Sequence, residues 1–368
     1  MKYAYRITAA AVGVVLGAGF LSGQELLRFF GAFGVWGYVG TGLAAVFFYL
    51  TVTAILNIAH DSGLTSTDRV VLFFDVPLAR RAIICFEFVF LFLIYVLMIA
   101  AAGSLFADVL SMPSVAGNLL FCVLTVVCSL FGVSGLVRVF SLLVPVLVVA
   151  TLAVAAGGLG IAGWQAPTPS AFSVGFAPSA LVYVSFNVVC SIPILAPVGK
   201  NAPTKASIRL GTAVASIVLT LIAVLILAAL GSSRVSSELD LPMLTLATSL
   251  GRGVGLLYAL LLFGGIFSTG LSALTALNTY FAERWHLKRG TVAAIAASLS
   301  LLGVVVALSG FRQLVGFFYP VFGYIGLLPL LLLFLHAFLR FRRKKKHTRN
   351  EKRENGQESQ KQGKGENV

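Results

Sequence analysis

The stretch VGVVLGAGFLSGQELLRFF, Val12 to Phe30, decides how the chain is read. It begins as an apolar membrane-spanning helix, then sets Gly17, Gly19 and Gly23 in its middle, with Gln24 and Glu25 directly after. Glycine inside a helix costs about 1 kcal/mol relative to alanine. A carboxylate within a bilayer is costly on every scale. A lipid-facing anchor has no use for either. The stretch is therefore expected to unwind and to offer backbone groups to a ligand near the midplane.

The surrounding composition fits a membrane setting. Of 368 residues, 58% are hydrophobic and 11% charged, with a mean hydropathy of +0.97; soluble domains carry about 25% charged residues. The apolar runs far exceed the ~10-residue strands of a barrel, which predicts an all-α membrane protein. Ten spans are expected, near residues 7–30, 35–58, 82–110, 115–132, 139–162, 174–198, 211–230, 255–281, 291–309 and 315–338. They make one transmembrane domain over 1–340, followed by a basic tail, 341–368, whose polar composition predicts disorder.

The net charge of +14 does not point to nucleic acid, because 11 of the 27 Lys and Arg lie from Arg340 onward. A basic cluster just after a span suits anionic lipid. With the N-terminus in the cytoplasm, the inside segments hold 23 of the 27 cations and the outside keeps Arg28, Arg234, Arg252 and Arg312. That places both termini on the cytoplasmic side of the membrane. Cys85, Cys122, Cys128 and Cys190 are scattered through apolar runs without a CxxC or Cys/His cluster, so neither a disulfide nor a metal site is expected. No GxSxG, GxxxxGK[ST] or HExxH appears, and no enzyme or resident cofactor is expected.

Ten spans divide into five and five. An odd number per half inserts the second half upside down, as in inverted-topology repeats, here about 6–162 and 173–339. The sixth span, VGFAPSALVYVSFNVVCSIPILAPVG, is interrupted like the first: Ser185 and Asn187 sit mid-span, with Pro193 and Pro197 after them. Corresponding interrupted segments are the best sequence pointer to a transporter substrate site. On the eighth span, Gly264, Gly265, Ser268, Thr269, Gly270, Ser272, Thr275 and Asn278 make a small, hydroxyl-rich face.

Together these residues resemble the leucine-transporter (LeuT) fold of the amino acid–polyamine–cation superfamily. The segment GAGFLSGQE, Gly17 to Glu25, is similar to the first-helix motif of bacterial YkvI-type membrane proteins, grouped among amino-acid permeases. The resemblance implies a secondary transporter for an amino acid or similar small zwitterion, moved with Na⁺ or H⁺. It places the substrate at Gly17, Ala18 and Gly19 of the first span and Ser185, Phe186 and Asn187 of the sixth. It places a sodium ion at the Gly13, Leu16 and Gly264 carbonyls and the Ser268 hydroxyl, with Thr269 as a substitute. The first hydroxyl of the usual eighth-helix pair falls on Phe267.

Several residues admit two readings. Ser22, Gln24 and Glu25 favour a break over the close helix packing that Gly13, Gly17 and Gly19 would also allow. Glu25 is either a proton- or substrate-linked carboxylate or half of an i,i+3 ion pair with Arg28. Asn187 is a site residue or an interhelical hydrogen bond. Ser268 and Thr269 bind an ion or bond back to their own helix. Glu87 is a relay group or pairs with a loop cation such as Arg138. Two other function classes share the fold: a sensor that binds without transporting, and a passive channel.

Overall fold

The computed structural model describes residues 2–130, 136–167, 174–189, 191–233, 235 and 238–365. The first half holds α1 (Lys2–Val15), α2 (Ala18–Ser22), α3 (Gln24–Phe29), α4 (Val35–Ser62), α5 (Thr67–Val71), α6 (Pro77–Leu110), α7 (Ser114–Leu130) and α8 (Leu136–Ala162). The second holds α9 (Phe176–Val189), α10 (Ile192–Lys200), α11 (Lys205–Ser232), α12 (Pro242–Ser249), α13 (Arg252–Trp285), α14 (Arg289–Ala307) and α15 (Phe311–Gly365).

Among the described residues, seven helices (α4, α6, α8, α11, α13, α14 and α15) are long and apolar enough to cross a membrane, and α9 with α10 forms an eighth span bent by 69°. Two of the ten expected spans fall short of that length for local reasons. The first is cut into α1, α2 and α3, and α7 has 17 residues. Outward faces carry large apolar side chains such as Val149, Ile217, Leu260 and Val305, each more than half exposed, as lipid contact requires. The polar tail continues the helix of α15 to Gly365. Its Lys, Arg, Glu and Gln are good helix formers.

The packing repeats between halves. Helix α1 crosses α11 where a Cβ on Gly211 would come within 2.7 Å of the Ala4 carbonyl; α10 crosses α4 where a Cβ on Gly199 would come within 2.7 Å of the Leu56 backbone. First span on seventh is thus mirrored by sixth span on second. Helices α6 and α13 pack along each other, flanked by α7 and α14. The Tyr95 hydroxyl, fully buried, bonds Thr125 and Ser300 at 2.8 Å each and ties α6, α7 and α14 into one block.

The α4–α6 connection is pinned rather than loose. Arg80 Nε donates to the Asp68 carboxylate at 2.8 Å. His336 Nδ1–H donates to the Val70 carbonyl at 2.8 Å and Arg340 Nε donates to His336 Nε2 at 2.9 Å, which docks α5 on α15. Glu87 lies near Thr67 of α5; the side chain of Arg138, its expected partner, lies outside the described residues.

Candidate functional site

The first break falls where the glycines predict it. Helix α1 ends at Val15, and the Gly17 N–H turns to the Val15 carbonyl at 2.7 Å instead of the Gly13 carbonyl four residues back. A Cβ on Gly17 would meet nothing within 4 Å, so open space lies beside the break. One turn of helix follows, α2, with Ala18 fully buried. The chain then breaks again at Gly23, whose φ of +83° is left-handed and glycine-favouring. Ser22 supports the short turn: its hydroxyl donates to the Gly19 carbonyl at 3.1 Å. That local bond, rather than an open position, occupies this expected substrate residue. The Leu21 carbonyl accepts from the Tyr258 hydroxyl of α13 at 2.7 Å.

Between the breaks the chain folds Glu25 back onto Gly19. A Cβ on Gly19 would lie 2.8 Å from Glu25 Oε2 and would collide with the Tyr319 hydroxyl of α15. Glycine at 19 is what lets the carboxylate and the phenol reach the backbone. Glu25 is 2% exposed. Asn187 Nδ2 donates to Glu25 Oε1 at 2.8 Å, and Tyr183 lies beside the carboxylate. Among the described residues no cation pairs with it. The ion pair with Arg28 does not form: Arg28 Nη2 donates to the Gly316 carbonyl of α15 at 3.0 Å. Burying an unpaired carboxylate costs about several kcal/mol, so a group this isolated needs a counter-charge or a proton.

The sixth span is broken, but later than its polar residues suggest. Helix α9 runs unbroken through Ser185, Phe186 and Asn187 to Val189, and the new helix starts at Ile192; residue 190 lies outside the described residues. An α-helix turns about 200° over two residues. Asn187 and Ser185 therefore face opposite ways. Asn187 meets Glu25, while Ser185 sits against α15, where a Cβ on Gly326 would come within 2.5 Å of its hydroxyl oxygen. Phe186 stacks on Tyr319 with ring centroids 4.0 Å apart and tilts against Phe90 of α6 at 5.3 Å. Tyr183 packs edge-on to Phe29 and Phe30 at 5.3 and 5.2 Å. A small hollow of about 30 Å³ adjoins the cluster between the broken helix, α4, α9 and α11; Val15, Phe20, Tyr183, Asn187, Ser216 and Thr220 line it.

Gly17, Gly19, Glu25 and Asn187 are thus gathered at the break, with Phe186 on its aromatic wall. The eighth-span residues Gly264, Ser268 and Thr269 lie on α13, half-buried. One turn before Ser268, a Cβ on Gly265 would meet Leu21 at 3.0 Å and Leu147 at 3.5 Å, so the neighbouring surface is hydrocarbon. Thr275 bonds back to the Leu271 carbonyl at 2.7 Å, the ordinary habit of a membrane threonine. On the first span, Gly13 and Leu16 flank the first break, where the Gly13 carbonyl has lost its usual donor. Tyr319 was hidden in the sequence. Its only signal is a phenol beside Pro320 in an otherwise apolar tenth span.

A last feature covers the Glu25 side. Three consecutive loop residues grip three spans. The Leu239 carbonyl accepts from Gln24 Nε2 of α3. Asp240 accepts from the Ser104 hydroxyl of α6 at 2.7 Å and from the Arg312 N–H at the start of α15 at 3.1 Å. Glu238 pairs with the Arg312 guanidinium at 2.5 Å.

An all-helical membrane bundle whose first and sixth spans break beside one buried polar cluster has the LeuT fold. Comparison with solved structures gives the same fold: the chain superposes on MhsT in complex with L-phenylalanine with a TM-score of 0.64 at 18% identity, covering 90% of this chain and 86% of MhsT. On Mhp1, a nucleobase-cation-symport-1 family transporter with bound bromovinylhydantoin, the TM-score is 0.58 at 12% identity, over 85% of this chain and 74% of Mhp1. In sequence the chain is similar to the membrane protein YkvI of Bacillus subtilis (strain 168), 26% identical over 322 residues, 86% of this chain and 91% of YkvI. No protein-family model matches the chain.

Proposed function

We propose that the chain is a secondary active transporter that moves a small zwitterion, an amino acid or a close analogue, by alternating access with Na⁺ or H⁺ as coupling ion. The observation that carries this reading is the meeting of the two interrupted spans at Glu25 and Asn187, 2.8 Å apart, with open space beside Gly17. Breaks at Gly17, Gly23 and between α9 and α10 supply hinges. The Tyr95-bonded block of α6, α7 and α14 supplies a frame against which they can move. MhsT and Mhp1 hold small organic molecules, which favours a substrate of that size here. For coupling, the Gly13 carbonyl, freed of its helical donor, supports a Na⁺ ligand, with Leu16, Gly264, Ser268 and Thr269 as the further positions; Glu25 supports H⁺. The cation count supports cytoplasmic termini in a bacterial cell membrane, with the basic tail at anionic lipid.

Counterflow in proteoliposomes tests the reading. Vesicles preloaded with an unlabelled amino-acid mixture are expected to accumulate labelled substrate transiently, and Gly19→Leu and Asn187→Leu to abolish this. Binding without exchange would instead identify a sensor, and gradient dissipation without exchange a channel.

A further inference from the structure

The Glu25 carboxylate faces a set of groups that narrows the ligand. From α9 it meets Asn187 and Tyr183, and from α15 Tyr319. Helix α2 and the turn after α3 carry no ionisable residue. Helix α11 presents Ile226 and Leu230 to the adjoining Gly23. On its own helix, Arg28 is committed to Gly316, and Arg312, at the far start of α15, is held by Glu238. Among the described residues, every group on the carboxylate is therefore neutral. A proton, a coupling cation such as Na⁺, or a cation carried by the ligand can balance its charge there. Tyr183 and Tyr319, with Phe186 stacked on Tyr319, make an aromatic wall beside it that suits the apolar body of a ligand carrying an ammonium. Asn187 occupies Glu25 Oε1, which leaves Oε2, beside Gly19 at the break, as the oxygen for which a proton and an ammonium compete.

We infer that Glu25 is an exchange site that holds, alternately, a proton and the ammonium group of the substrate. Binding is then Glu25–COOH plus R–NH₃⁺ giving the ion pair Glu25–COO⁻···⁺H₃N–R, with one H⁺ released to the side from which the substrate enters. One oxygen that cannot hold both makes the transport an exchange: substrate one way, proton the other. The substrate class is set by the ammonium, and a carboxylate on it is optional. This rests on the transporter reading for its second half only.

The test uses the full chain in lipid nanodiscs, in weak buffer with a pH-indicator dye. The probes are L-phenylalanine, 2-phenylethylamine (ammonium without carboxylate) and 3-phenylpropanoate (carboxylate without ammonium), with the matching leucine-derived trio. The ammonium-bearing probes of at least one trio are expected to raise the melting temperature and release about one proton per protein; the two acids are expected to do neither. E25Q is expected to bind at least about tenfold more weakly, as when one partner of a buried charge pair is removed, and to release no proton. E25D, which keeps the carboxylate, retains proton release. If no ammonium-bearing probe releases a proton, or if E25Q binds as the unaltered chain does, the inference is overturned. Counterflow separates the two claims. Proton-linked binding without exchange removes transport and leaves Glu25 standing; exchange that survives E25Q does the reverse.

Discussion

Charge satisfaction at single residues separates the two carboxylates that matter most. Among the described residues Glu25 has only neutral neighbours, Asn187 as donor with Tyr183 and Tyr319 beside it, whereas Asp68 has a guanidinium. Burial by itself would raise the Asp68 carboxyl. Hydrogen bonds from Arg80 and Ser66 and the Arg80 charge outweigh it and hold the group below its ordinary 3.8. A depressed carboxylate stabilises the fold above its unfolded value and loses that contribution as pH falls through the folded one. The melting-temperature gap between the unaltered chain and Asp68→Asn is therefore expected to be open at pH 7 and to close as the pH drops below the carboxylate range. A gap that stays constant across that range contradicts the account of how α5 is held. The sequence made Glu25 conspicuous, because a carboxylate in an apolar span is rare. It left the choice between Arg28 and a binding role open, since i,i+3 spacing permits an ion pair without requiring one. Tyr319 was illegible, because a tyrosine in a span is usually packing.

At the scale of elements, the first span was readable and the sixth only in part. Three glycines in seven residues can hardly continue a helix, and they did not: α1, α2 and α3 are separate pieces. In the sixth span, Ser185 and Asn187 drew attention to the wrong turn. A small serine packed against a glycine and an asparagine bonded to a carboxylate do not interrupt a helix, so α9 passes through them and ends at Val189. Their roles then part by helical geometry, Asn187 to Glu25 and Ser185 to Gly326. The second break of the first span offers a clean element-level test. Gly23 sits at φ +83°, and a Cβ there would come within 2.7 Å of Leu230. Gly23→Ala is expected to destabilise the protein by about 1–2 kcal/mol from the left-handed backbone alone, read as a lowered melting temperature in nanodiscs. An unchanged melting temperature contradicts a rigid break at this position.

Across the whole molecule, hydroxyl bonds join α6, α7 and α14 into a frame, close glycine crossings seat α1 on α11 and α10 on α4, and polar links tie the pieces around the breaks. The 238–240 loop is one such link, tying α3, α6 and α15 through Gln24, Ser104 and Arg312. Asp240→Ala is expected to speed hydrogen–deuterium exchange in α3 severalfold and to leave α6 and α13 unchanged, because buried helices open far less often than lightly held segments. Equal protection in both proteins contradicts the view of this loop as a latch. Hydropathy and the interruptions in the first and sixth spans made the all-helical architecture legible in outline. The latch was not legible, because its bonds join residues more than 70 positions apart. The central claim is that substrate crosses the membrane through the cluster where the two broken spans meet. Counterflow of a labelled amino acid into preloaded proteoliposomes measures this most directly: the unaltered chain is expected to accumulate label transiently and Asn187→Leu to show none, whereas the absence of exchange by the unaltered chain, or undiminished exchange by Asn187→Leu, would contradict it.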